Sequence, residues 1–204
     1  MSGKLVNEQY LYDIANAIRR KNGKTTLYRP QDMDDAILDL ASSEDALEQL
    51  ISTKTITNIY VTGITSVRNF AFKNYTTLNS VNFPDVLSIG ESAFEECSSL
   101  TSVTLPSCTS IGITSFKNCS SLTTIELPSV TSIGNQAFYS CSNLTSVILS
   151  GSTRCTLTNE YVFYYTPIQS GTGYIYVPAN LVNSYKSDAY WVAYANQIVA
   201  IPSE

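Results

Sequence analysis

A unit of 22 residues recurs through the middle of the chain without an insertion or deletion, and no other property of the sequence narrows its fold as far. The units begin at Ile56, Leu78, Leu100 and Leu122 and read ITNIYVTGITSVRNFAFKNYTT, LNSVNFPDVLSIGESAFEECSS, LTSVTLPSCTSIGITSFKNCSS and LTTIELPSVTSIGNQAFYSCSN. A strict period of this length marks a stack of like units, each too small to bury its own apolar face, in place of a domain closed around one core.

Within a unit the first, fourth and sixth positions are apolar, as at Leu100, Val103 and Leu105 or Leu122, Ile125 and Leu127. This start predicts a short strand whose alternate residues face opposite ways. Pro84, Pro106 and Pro128 end it, because proline offers no amide to a longer ladder. Further apolar columns follow at Val86/Cys108/Val130, Ile89/Ile111/Ile133 and Phe94/Phe116/Phe138, so one coil of chain must turn fully round to bring them all inward. Gly90, Gly112 and Gly134 mark a place of positive φ or of tight backbone approach, and Arg68 in the first unit marks an irregular beginning to the stack. The Ala71-Phe72, Ala93-Phe94 and Ala137-Phe138 pairs, with Ser115-Phe116 as the variant, fit a short helical turn on the far side.

Cys97, Cys119 and Cys141 also keep the period. Rungs ~4.8 Å apart permit a disulfide by distance, but side chains in a ladder point the same way, so a column of small buried thiols is the plainer reading. Cys108 takes a core slot held elsewhere by Ile64, Val86 and Val130, whereas Cys155 lies past the regular units and is a candidate for exposure.

With its SxxLTSVxLPxxxxSIGxxAFxxC wording, the unit resembles the BspA-like leucine-rich repeats over residues 56–149, with proline, glycine, Ala-Phe and cysteine all in place. The resemblance implies a right-handed solenoid with a parallel sheet on one face, a role in adhesion or protein binding, and no catalytic residues. The expected fold is an α/β repeat solenoid of about five 22-residue rungs over residues 53–150, with a helical module at 1–52 and a strand-plus-helix cap at 151–204. In the cap, a strand is expected at Ile175 to Pro178, then Leu181, Tyr185, Trp191 and Tyr194 at roughly helical spacing before the apolar tail Ile198, Val199 and Ile201. Those aromatics read as packing over the last rung, with sugar stacking as the alternative.

The first 50 residues are of another kind. Tyr10, Leu11, Ile14 and Ile18 form a helical stripe ended by Gly23, and a second helix is expected from Pro30. Asp32, Asp34 and Asp35 do not make a calcium loop, because the sixth position from Asp32 is Ile37 and the twelfth Ser43, where glycine and glutamate are required. Ile37, Leu40, Leu47 and Ile51 lie on a broken heptad that would suit a trimeric stalk, while packing against the first rung is the alternative. The wording LYDIANAIRRKNGKTTLYRPQDMDDAI is similar to an N-terminal module of phage tail and minor structural proteins, which implies assembly with other virion proteins.

Composition removes several functions. Net charge is −5 with no basic cluster, which argues against nucleic acid. The chain has no histidine, so imidazole catalysis, the usual triads and histidine-based zinc sites are excluded, and no cofactor is expected. The first residues lack the apolar run of an export signal, and no segment reaches membrane-spanning length, so synthesis and folding in the cytosol are expected. The outward strand residues Tyr60, Ser80, Asn82, Ser102, Thr104, Thr124, Glu126, Ser146 and Ile148 form the broad candidate surface, with a merely soluble β face as the alternative. The leading expectation is a phage virion protein of tail- or head-fibre type, a homo-oligomer such as a trimer, that displays this face to a host protein or glycan. An intracellular or surface protein-interaction scaffold is the alternative.

Overall fold

The computed structural model describes residues 57–202. Each regular rung gives one strand to each of two parallel sheets. The larger sheet holds β1 (Asn58–Tyr60), β3 (Ser80–Asn82), β5 (Ser102–Thr104), β7 (Thr124–Glu126) and β9 (Ser146–Ile148), followed by β11 (Tyr174–Val177) and β12 (Ile198–Ala200), in that order. The smaller holds β2 (Ser66–Val67), β4 (Ser88–Ile89), β6 (Ser110–Ile111), β8 (Ser132–Ile133) and β10 (Thr156–Leu157). The repeat solenoid is as expected, and the second sheet adds to it. Register follows the sequence period, with Ser80 opposite Asn58 and Ser102 opposite Ser80, so each side chain lands on its counterpart one unit on.

The core is a set of columns. Leu78, Leu100, Leu122 and Leu144 form one, Val67, Ile89, Ile111 and Ile133 another, all buried. The phenylalanines stack nearly parallel: Phe72 on Phe94 at 5.2 Å, Phe94 on Phe116 at 5.2 Å, Phe116 on Phe138 at 5.4 Å. Phe163 continues the column at 5.6 Å from Phe138, although it lies beyond the regular repeats.

The far side differs from the expected helical turn. Amides of Ala71, Lys73 and Tyr75 close local turns onto Arg68, Phe70 and Phe72, while those of Phe70, Phe72 and Asn74 donate to the carbonyls of Glu91, Ala93 and Glu95 in the next rung at 2.8, 2.7 and 2.8 Å. Helices need ~8–10 Å between axes, twice the ~4.8 Å rung spacing, so a helix in every rung would force the stack apart on this side. Successive turns instead send every second amide along the stack. The geometry requires left-handed backbone twice per rung, at Phe70, Ser92, Thr114 and Gln136 and again at Asn74, Glu96, Asn118 and Ser140.

None of the repeat glycines is among these left-handed residues. Their role is close approach: a Cβ on Gly112 would lie 2.6 Å from the carbonyl oxygen of Ile89 and 2.7 Å from the carbonyl carbon of Gly90, both backbone of the preceding rung. Arg68, which holds this place in the first described rung, is exposed.

The C-terminal region both caps and extends the stack. β11 pairs with β9 after a longer loop, Tyr174 lying opposite Ser146, and the apolar tail is not a loose end but the strand β12, paired with β11. Between them run two 3-10 turns, Ala179–Leu181 and Trp191–Tyr194, and the helix α1 (Val182–Lys186). Trp191 lies 6.1 Å from Phe163 and Tyr194 stands edge-on to it at 5.3 Å, which ends the phenylalanine column. The Tyr185 hydroxyl accepts from the Cys155 amide and the Trp191 indole donates to the Cys155 carbonyl, both at 2.8 Å. These aromatics are buried packing groups. Cys155 is correspondingly sealed at 0 % exposure, a correction to its expected accessibility, because the cap folds over it.

Candidate functional site

The face of the larger sheet is built by parity. In the three-residue strands β1, β3, β5, β7 and β9 the middle side chain points to the core, as Ile59, Val81, Ile125 and Val147 do, and the flanking two point out. The nine residues singled out from the sequence therefore fall into two rows. Across the strands, Tyr60, Asn82, Thr104, Glu126 and Ile148 form one row, and Ser80, Ser102, Thr124 and Ser146 run in the other, which Asn58 begins. Tyr60, Ser102, Thr104, Thr124 and Glu126 are exposed, and Ser80, Asn82, Ser146 and Ile148 half-buried.

Register extends both rows further than the sequence reading did. Tyr176 stands opposite Ile148, Tyr174 opposite Ser146, and Val199 opposite Tyr176. The missed signal was the alternation of Tyr174-Ile175-Tyr176-Val177, which buries Ile175 and Val177 and leaves both tyrosines outward. Two hollows open on this face. One of about 220 Å³ is lined by Val103, Thr104, Leu105, Pro106, Glu126 and Pro128, where pairing of β5 with β7 narrows to Thr104 opposite Glu126. The other, of about 310 Å³, is lined by Ser146, Ile148, Tyr176, Ile201 and Pro202.

Four threonine hydroxyls off this face are committed to structure. Those of Thr101, Thr109, Thr131 and Thr145 donate to carbonyls of Asn79, Leu87, Thr109 and Thr123, one rung back, at 3.0 to 3.3 Å. On the sheet face Ser80 bonds Asn58 at 2.6 Å, whereas the side chains of Asn82, Ser102, Thr104, Thr124, Glu126 and Ser146 have no polar partner among the described residues.

The far side carries a polar column instead. Glu95 lies between Lys73 at 2.7 Å and Lys117 at 3.7 Å, Lys117 sits 5.7 Å over the ring of Tyr139, and Tyr139 meets Tyr165 edge-on at 5.0 Å. Burial works against ionising Glu95, but hydrogen bonds from Lys73 and Ser92 together with the two lysine charges outweigh it, so the carboxyl titrates below its ordinary value. The bond to Glu95 raises Lys73 in turn. At the cap, Asp188 pairs with Arg154 and accepts from the amides of Tyr190 and Trp191 at 3.0 and 3.2 Å. Burial of Asp188 is again outweighed by these bonds, and its pKa is lowered.

The cysteines are all unpaired. The Cys97, Cys119 and Cys141 thiols donate to the carbonyls of Phe72, Phe94 and Phe116 at 3.0 to 3.1 Å, which orients them alike along the column. Burial pushes Cys97, Cys141 and Cys155 up to about 12, Cys108 to about 11, and Cys119 well above the ordinary range. Such thiols are not poised as nucleophiles. Among the described residues no group of three or more Cys, Asp or Glu side chains is placed to hold a metal ion.

A family model described as a BspA type leucine-rich repeat region matches residues 46–187 in six copies. The chain belongs to this family. The match runs past residue 149, where the repeat wording fades, through the irregular rung and into the cap. Among solved structures, the leucine-rich repeat protein TpLRR of T. pallidum matches at 24% identity with TM-score 0.52, covering 71% of this chain and 69% of that one. A leucine-rich repeat protein of Bacteroides ovatus matches at 25% identity and TM-score 0.52, covering 72% of this chain and 37% of that one. A leucine rich cell surface protein of Faecalibacterium prausnitzii matches at 23% and 0.54, covering 69% and 35%. This BspA-type chain thus spans little more than a third of the latter two. No curated protein matches it. The residues read as an assembly surface, Tyr10, Leu11, Ile14, Ile18, Ile37, Leu40, Leu47 and Ile51, lie outside the described residues.

Proposed function

We propose that this BspA-type chain is a non-enzymatic scaffold that binds a protein partner on the outward face of its seven-stranded sheet. One comparison within the molecule carries the reading. The outward row of the smaller sheet is uniform, Ser66, Ser88, Ser110, Ser132 and Thr156, whereas one of the two outward rows of the larger sheet, similarly exposed, changes residue from rung to rung: Tyr60, Asn82, Thr104, Glu126, Ile148 and Tyr176. Exposure alone does not produce that variety, and a surface that distinguishes partners requires it.

Selecting binders to the full chain from a displayed protein library tests it. The binders are expected to lose about tenfold or more in affinity for a Thr104→Arg, Thr124→Arg double variant. Retention on that variant, with loss on Tyr165→Arg of the far side, would overturn the assignment. Three finer parts of the proposal rest on sequence: attachment of residues 1–52 to a phage particle on the N-terminal wording, trimer formation on the broken heptad of Ile37, Leu40, Leu47 and Ile51, and display to a host protein or glycan on the outward strand residues. Detection of the chain in purified particles, or its absence from them, decides the virion part.

A further inference from the structure

Along the outer row of the larger sheet, chemistry changes at one point. From Tyr60 to Thr104 the row is uncharged and mostly polar, Glu126 brings the single charge among the outward side chains of the described strands, and Ile148, Tyr176 and Val199 follow as an apolar and aromatic stretch. Both hollows lie on this row. Glu126 lines the first, beside Pro106 and Pro128, and Tyr176 lines the second, beside Ile148, Ile201 and Pro202.

We propose that this row binds an extended, proline-rich polypeptide segment in the polyproline II conformation, running across the strands with one basic side chain over Glu126 and an apolar side chain three residues away in the Tyr176 hollow. The inference rests on the sheet-face reading above and names the partner's chemistry. Spacing carries it. Glu126 on β7 and Tyr176 on β11 are two strands apart, ~9.6 Å at ~4.8 Å per strand. A polyproline II helix returns to the same face every three residues, ~9.3 Å. A β-strand returns every two residues, ~6.7 Å, which matches neither one strand spacing nor two.

Charge and surface chemistry agree with the spacing. An exposed carboxylate beside Pro106 and Pro128, with an apolar hollow two strands on, selects a cation followed by an apolar group. The hydroxyls of Thr104, Thr124, Ser146 and Tyr176 are donors for the carbonyls that a polyproline II chain leaves free. Preordering of such a segment also lowers the entropy lost on binding.

The test is fluorescence polarisation of the full chain with a labelled peptide, Pro-Pro-Arg-Pro-Pro-Leu-Pro-Pro, and with its isomer Pro-Pro-Pro-Pro-Arg-Leu-Pro-Pro. Saturable binding of the first is expected, weakened about fivefold by moving the arginine and about fivefold by Glu126→Gln, the scale of one exposed ion pair. Tyr176→Ser is expected to weaken it about tenfold. Equal affinity for the two peptides, indifference to Glu126→Gln, or no saturable binding would overturn the proposal. So would a Tyr176-dependent affinity for an oligosaccharide, or Tyr176-dependent self-association in sedimentation, with no peptide bound. If the peptide fails while library binders still discriminate the Thr104→Arg, Thr124→Arg variant, only the partner chemistry falls. If the binders do not discriminate, the sheet-face reading falls with it.

Discussion

Ser115 offers a direct measurement of how the columns hold the stack. It takes the place filled by Ala71, Ala93 and Ala137 in the other rungs, is 0 % exposed, and its hydroxyl has no hydrogen-bond partner among the described residues. A buried polar atom left unsatisfied costs about 1–3 kcal/mol. Ser115→Ala removes that cost and loses the dispersion contacts of one oxygen, a few at ~0.1–0.2 kcal/mol each, about 0.5 kcal/mol in all. The net expectation is a gain of about 1 kcal/mol. At a urea dependence of ~2 kcal/mol per molar, the midpoint should rise by ~0.5 M. Fluorescence of Trp191, the single tryptophan, reports the cap, and far-ultraviolet circular dichroism reports the stack. Coincident transitions from the two would license the two-state arithmetic, which repeat arrays do not always obey. The reverse change, Ala137→Ser, should lower the midpoint by a similar amount. An unchanged or lower midpoint for Ser115→Ala would refute the argument that this column is apolar by requirement.

Four further outcomes follow from the same geometry. Gly112→Ala places a Cβ 2.6 Å from backbone of the rung below, so a loss of about 3 kcal/mol or more is expected in the same urea titration. Glu96 holds a φ of 64° in a column that has Asn74 and Asn118 on either side, and Glu96→Asn should raise stability by about 0.5–1 kcal/mol, because asparagine tolerates that backbone better. The five cysteines should resist a thiol reagent at pH 8 in the native chain and react together on unfolding; early labelling of Cys155 would contradict its burial under Tyr185 and Trp191. Glu95 and Asp188 titrate below their ordinary values of 4.5 and 3.8, so the stability they add is complete above those values and is lost as pH falls through the lower folded ones. The urea midpoint should drop on acidification from pH 5 to pH 3, and drop less in Glu95→Gln.

The packing columns were legible because translation by one unit returns each side chain to the same surroundings. Leucine, isoleucine, phenylalanine and cysteine recur at fixed positions for that reason, and each sits in the core. The second sheet was not legible, since its strands are two residues long and a Ser-Ile pair is too short to show alternation. The far side was misread for a different reason. The local wording around Ala-Phe admits a helical turn, and only the rung spacing, a property of the stack and not of the segment, forbids a helix in every rung.

The candidate site was legible where the period held and was lost where it broke. Outward parity puts Tyr60 through Ile148 on one face, but Tyr174 lies 28 residues beyond its neighbour Ser146, and a period of 22 has no means of placing it. The same break hid Phe163, which keeps its column 25 residues after Phe138 by lengthening the loop and not by altering the ring stack. Loop length costs a stack little, because each doubling adds only ~0.6 kcal/mol of closure entropy, whereas a misplaced core ring forfeits contacts with both neighbours. Irregular rungs therefore preserve the column and give up the period. It follows that the core residues of such a rung, Phe163 and Ile175, should be located first, and the outward residues read from the register they impose. Applied here, that order puts Tyr176 beside Ile148 and two strands from Glu126, which is the spacing on which the proline-rich partner depends.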